Sequence, residues 1–193
     1  MSNSSLKFIE VGSAHCRIAL RVAAVCVLLA AGAQAPGQAA RWVQLRQQAV
    51  QFEGQGNYAA ALPLEQQAVQ AAQAAWGPQD LHLAVTLNAL AIAEQNLEKF
   101  DEAEANFKQA LAIFTKAQGE ESSDGAMVLN NLATVYLDLG KYPDADKATE
   151  QALAIKVKLS GENNIDVAAT ETNLAIIFEK EDKYCLLYTS RCV

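Results

Sequence analysis

Four aromatic residues, Tyr58, Phe100, Tyr142 and Tyr184, stand 42 residues apart each time. Ala61, Ala103 and Ala145 repeat at that interval, as do Ala68, Ala110 and Ala152. So do Gly77, Gly119 and Gly161, then Leu90, Leu132 and Leu174. Ala49, Ala91, Ala133 and Ala175 form a fourfold set. Self-similarity at a constant period constrains the fold strongly: each unit is one small supersecondary element that cannot bury its apolar side alone and must stack on its neighbours.

Each unit reads as two helices. Leu83, Leu87, Leu90 and Ala91 fall at helical spacing within 83–97, and Ala103, Phe107, Ala110, Leu111 and Phe114 do so within 101–116. Lys99-Phe100-Asp101 is expected to make the turn between them. Gly119 is expected to close the second helix in the left-handed conformation. The next helix is expected near Asp124, with Asp166 its equivalent, each offering a short acceptor to free backbone N–H groups. Pro143 suits a first helical turn, where a missing N–H costs little. The abundance of Ala, Leu and Gln and the scarcity of Gly and Pro favour helix throughout. Repeated Ala permits close helix approach, and the aromatic column is expected to fill the space between units.

The runs Thr86-Leu-Asn-Ala-Leu-Ala91 and Val128-Leu-Asn-Asn-Leu-Ala133 resemble the first-helix motif of tetratricopeptide repeats of the kinesin-light-chain type. Gly140-Lys-Tyr142 followed by Ala145, and Gln109-Ala-Leu-Ala-Ile113, resemble its second-helix motif, and Gly77-Pro-Gln-Asp80 its linker. The resemblance covers about Arg41 to Tyr184 and implies an all-α, right-handed superhelical solenoid of antiparallel helix pairs. Residues 40–184 would hold three full repeats and the first helix of a fourth. Pro63 is read as a mild kink, since a Pro at the matching place is common in the family. Two departures stand out. Gln48 occupies the column of Leu90, Leu132 and Leu174, and Glu94 that of Phe52, Tyr136 and Phe178.

The two ends read differently. Residues 1–39 look like a secretory leader: Lys7, Arg17 and Arg21 precede an apolar run from Val22 to Ala33, too short to span a bilayer. Ala33-Gln34-Ala35 or Gly37-Gln38-Ala39 would be the cleavage site, and a membrane-anchoring amphipathic helix is the alternative. Export to the periplasm or beyond follows, with a cytoplasmic location if the leader is not cut. Residues 185–193 resemble translated sequencing-adapter DNA, and a genuine divergent tail is the alternative. All four cysteines fall in these ends, so 41–184 has no disulfide, thiolate nucleophile or Cys metal site.

Charge and residue types exclude several functions. Segment 41–184 carries 11 basic and 21 acidic residues, a balance of −10 that repels phosphate backbones, so no nucleic-acid partner is expected. No phosphate-binding glycine loop, metal-ligand spacing or nucleophile–base pair is visible, so no enzyme activity, cofactor or metal is expected. His82, the one histidine outside the leader, is read as a capping or surface residue.

Function is then expected from shape: a protein or peptide partner held in the concave groove that the first helices line. The resemblance places Val85, Asn88, Ile92 and Asn96 there from the second unit, and Met127, Asn130, Thr134 and Asp138 from the third. Ala169, Thr172, Ile176 and Lys180 follow from the fourth. Asn131 and Asn173 stand where related repeats hold a ligand's backbone, although bonding between neighbouring helices would equally explain them. Only Arg46 and Lys180 are basic along this row, so a mixed polar and apolar groove is expected rather than a carboxylate clamp. The alternative function is the front of a larger enzyme, such as a repeat-linked caspase-like peptidase. An open half-repeat would also favour self-association.

Overall fold

The structure is a computed structural model that describes residues 37–162 and 164–180. The leader before 37, the tail, and Tyr184 lie outside the described residues. Seven helices and no strand are present among the described residues: α1 (37–53), α2 (Tyr58–Trp76), α3 (Leu81–Asn96), α4 (Phe100–Gln118), α5 (Ser123–Asp138), α6 (Tyr142–Ser160) and α7 (Ile165–Lys180). Residues 37–39, assigned to the leader from sequence, are already part of α1. Short turns force consecutive helices antiparallel, giving the pairs α1/α2, α3/α4 and α5/α6, with α7 stacked on α6. First helices also touch directly, α3 against α5 and α5 against α7. The result is an all-α solenoid of antiparallel helix pairs.

The alanine columns are where the backbones meet. Ala61, Ala103, Ala145, Ala68, Ala110 and Ala152 are all fully buried, as are Ala49 and Ala91. Any larger side chain at these points would push helices apart, at a cost of about 1–3 kcal/mol. Phe107 and Phe114 supply the bulk between pairs and are both essentially fully buried. The aromatic column behaves differently from expectation. Tyr58, Phe100 and Tyr142 are each the first residue of a second helix and only half-buried, because the first turn of a helix lies at the edge of the stack. Phe100 nonetheless packs against the main core. The turn residue is therefore Lys99, the N-cap of α4, rather than Phe100.

Two kinds of turn alternate, and the sequence reading placed the left-handed residue in the wrong one. Between first and second helices the chain closes in a Schellman motif. Lys99 N–H donates to the Glu94 carbonyl and Glu98 N–H to the Gln95 carbonyl, with the same pattern at Gly140 and at Gly56. The residue that turns left-handed is Gly56 (φ 70°), Glu98 (φ 60°) and Gly140 (φ 69°) in successive repeats. Between repeats, Gly77, Gly119 and Gly161 have φ of 93°, 90° and 78° but extended ψ of 177°, 171° and 164°. That region is open essentially to glycine alone, so these glycines end the helix by extending the chain rather than by curling it.

Helix caps also sit two residues earlier than expected. The caps are Asp80, whose carboxylate accepts from His82 N–H, Ser122, whose hydroxyl accepts from Gly125 N–H, and Asn164, whose amide oxygen accepts from Asp166 N–H. Asp124 and Asp166 instead occupy the first turn, where a negative charge still favours the helix dipole. Burial pushes the Asp80 carboxyl up, but hydrogen bonds from the His82 backbone and ring outweigh it and hold the group below its ordinary range. Helix α2 runs unbroken across Pro63.

Candidate functional site

Helices α1, α3, α5 and α7 are the first members of their pairs, and one side of each is not covered by a second helix. Three columns run across that side at i, i+3 and i+7, which helical geometry places on one face. Val43, Val85, Met127 and Ala169 form the first. Arg46, Asn88, Asn130 and Thr172 form the second, and Val50, Ile92, Thr134 and Ile176 the third. Large apolar side chains are exposed here in register: Val43 at 53%, Val85 at 43% and Met127 at 42% in the first column, with Val50 and Ile176 in the third. Ile92 is half-buried against the core.

The polar column is tied together across the helices. Asn131 Nδ2 donates to Asn88 Oδ1 at 3.2 Å, and Asn173 Nδ2 donates to Asn130 Oδ1 at 2.9 Å. The two asparagines that could have served a ligand or a neighbouring helix therefore bond neighbouring helices. Asn88 is itself buried, and its amide oxygen accepts from Asn131. Asn130 remains half-exposed. Gln95, which sequence reasoning did not single out, links α3 to α5 as well: its Nε2 donates to Thr134 Oγ1 at 3.0 Å and to Asp138 Oδ2 at 3.1 Å. Thr134 Oγ1 donates back to the Asn131 carbonyl, Asn96 Nδ2 to the Ile92 carbonyl and Thr172 Oγ1 to the Ala168 carbonyl. The face is thus held rigid by amide and hydroxyl bonds and leaves its apolar side chains free.

The pattern of pairs recurring at 42 residues, with buried Ala columns and a Schellman turn inside each pair, matches one sequence family. The tetratricopeptide-repeat profile fits residues 42–116 and 124–184. The chain belongs to the tetratricopeptide-repeat family. No curated protein matches the sequence. Among solved structures it is similar to BtubC (BKLC) from P. vanneervenii, at 23% identity over 79% of this chain and 67% of that one, with a TM-score of 0.63. It is likewise similar to a putative kinesin light chain with nearly identical TPR-like repeats from Podosopora anserina, at 22% identity, 74% and 67% coverage and a TM-score of 0.67. At these identities the likeness is one of fold, and it agrees with the kinesin-light-chain-like period.

Three features of this tetratricopeptide array depart from its repeating pattern. The first is an aromatic cluster at the junction of the first and second repeats. The His82 ring stacks on Trp76 with centroids 4.0 Å apart, and Trp42 meets both edge-on at 5.1 and 5.3 Å. Trp42 Nε1 donates to Thr86 Oγ1 at 2.7 Å. His82 stays a surface residue, its side chain 46% exposed, with its ring stacked on Trp76. The second is Glu94, buried in an aromatic column: it accepts from Asn106 Nδ2 at 2.7 Å, and burial raises its carboxyl above the ordinary range despite that bond. The third is a buried pair of Arg46 and Glu65, taken up below.

No helix among the described residues is long and apolar enough to cross a membrane. No group of three or more His, Cys, Asp or Glu side chains among them could hold a metal ion.

Proposed function

We propose that this protein is an interaction scaffold that grips a segment of a partner protein along its first-helix face. Tetratricopeptide repeats are generally protein-interaction scaffolds, and the neighbouring folds are of that kind. The finer reading rests on one observation: Val43, Val85 and Met127, then Val50 and Ile176, expose apolar side chains in register along consecutive helices. Scattered exposed apolar residues need no explanation, but a periodic row on a rigid surface supplies a continuous docking strip. Half-exposed Asn130 and Thr134, between the rows, provide amide and hydroxyl groups suited to an extended peptide backbone. We further propose that the leader carries the protein out of the cytoplasm, and N-terminal sequencing of the mature protein decides that point.

Photo-crosslinking tests the face directly. A photoreactive residue at position 85 or 127 should trap a partner in native extract. One at Gln109, on the exposed side of α4, should not. Equal trapping at all three would refute the assignment. Asn130→Ala with Asn131→Ala should weaken capture several-fold, and a circular-dichroism melt separates lost contact from lost stability, since Asn131 also bonds Asn88.

A further inference from the structure

Position 65 breaks the repeat's own plan. Its equivalents 42 and 84 residues on are Phe107 and Thr149, both fully buried. Glu65 is equally buried, with no exposed side-chain surface. A carboxylate in such a place needs a partner, since burying an unpaired charge costs several kcal/mol. One oxygen, Oε1, has it in the guanidinium of Arg46, on α1. Among the described residues no donor reaches the other oxygen, Oε2, nor Glu53 Oε1, which is also buried. Glu53 lies close enough for its carboxyl to raise that of Glu65. Two acceptors can face one another in a dry site only if one carries a proton. Arg46 meanwhile stands in the polar column of the first-helix face, in register with Asn88, Asn130 and Thr172.

Among the described residues no other charge is placed to resolve the pair: Arg41, the other cation of α1, donates to Gln67 Oε1 instead. Helix α3, also packed on α2, carries only His82 and Glu94 as titratable groups, and these are engaged with Asp80 and Asn106. We infer that Arg46, Glu53 and Glu65 form a proton-operated charge switch at the first-repeat end of the first-helix face. With a proton on the Glu65 carboxyl, the trio is neutral overall. When that proton leaves to solvent, the trio becomes negative by one charge, and Arg46 is fully neutralised from behind. Burial, with Glu53 adding to it and Arg46 opposing it, raises the Glu65 carboxyl to about 7, so the switch turns near neutral pH. Its consequence for binding rests on the proposed face: an anionic group of a partner would meet a less negative surface below neutrality. The proton uptake itself is independent of any partner.

The experiment therefore uses the free protein. Carbon-13 NMR of the Glu side-chain carboxyls, with Glu65 assigned by comparison with Glu65→Gln, should show one group titrating near pH 7. In Glu53→Gln that midpoint should fall by a unit or more, because a like charge is replaced by an amide donor. A raised folded value means stability is fullest below the unfolded value and is lost as pH rises through 7. The melting temperature should therefore drop between pH 6 and pH 8 in the wild type and not in Glu65→Gln. A Glu65 midpoint between 4 and 5, or an unchanged midpoint in Glu53→Gln, overturns the switch. Should Glu65→Gln fail to fold, the Glu53→Gln titration decides alone.

Discussion

Glu98 offers a test of backbone strain that the protein controls internally. In the first and third repeats the Schellman turn places glycine at the left-handed position, Gly56 and Gly140, and in the second it places Glu98 there at φ 60°. A Cβ built on Gly140 meets nothing within 4 Å, so only the backbone distinguishes the two residues at this site. Holding an L-residue left-handed costs roughly 1–2 kcal/mol. Glycine's extra freedom in the unfolded chain takes back about 0.4–1 kcal/mol. Glu98→Gly should therefore stabilise the protein by about 0.5–1 kcal/mol, and Gly140→Glu should destabilise it by a similar amount. For a chain of this size that is a shift of about 1–4 °C in melting temperature, up in one variant and down in the other. Calorimetric or circular-dichroism melts of both variants in one buffer give the comparison. The Glu98 side chain is exposed and makes no ion pair among the described residues, so its loss should not mask the effect. Shifts of the same sign in both variants would show that strain at this turn is not what separates the repeats.

Other outcomes follow from the packing. Phe107→Ala should cost about 3–5 kcal/mol, because the ring is fully buried between helix pairs and stacked repeats share the loss with their neighbours; chemical denaturation measures it. Trp42→Phe keeps an aromatic ring but removes the Nε1 donor to Thr86, and should lower stability by about 1 kcal/mol in the same assay. Glu104 accepts from Lys108 at 2.5 Å and Lys141 at 2.6 Å, and these bonds hold its carboxyl below the ordinary range. Its contribution to stability is present above the unfolded value and lost as pH falls through the lower folded one. The acid limb of a stability–pH curve should therefore flatten in Glu104→Gln, and an unchanged limb would remove Glu104 from the account.

The sequence by itself determined the period, the helix pairs and the alanine columns. A stacked array repeats its packing at every step, so each requirement for a small or large side chain is written three or four times at constant spacing. The same redundancy exposed the departures at Glu94 and Gln48. Helix ends were legible only approximately. Asp80, Ser122 and Asn164 are three different capping residues, and Asp124 and Asp166 drew attention because they matched. Gly119 could be recognised as a helix stop, but a one-letter code does not say whether glycine serves a left-handed or an extended turn.

Only the tertiary structure decided what lies between helices. Asn131 and Asn173 had two equal readings until neighbouring first helices brought Asn88 and Asn130 within 3.2 and 2.9 Å of them. His82 is the surface residue its sequence position suggests, yet only the folded chain sets its ring on Trp76 and beside Trp42. The Arg46–Glu65 pair joins residues 19 apart on two helices, and its two charges recur in no other repeat. Periodicity reports contacts that every repeat makes. Contacts made once, which give one array its individual surface, depend on how the backbones pack, and only the folded chain brings them together.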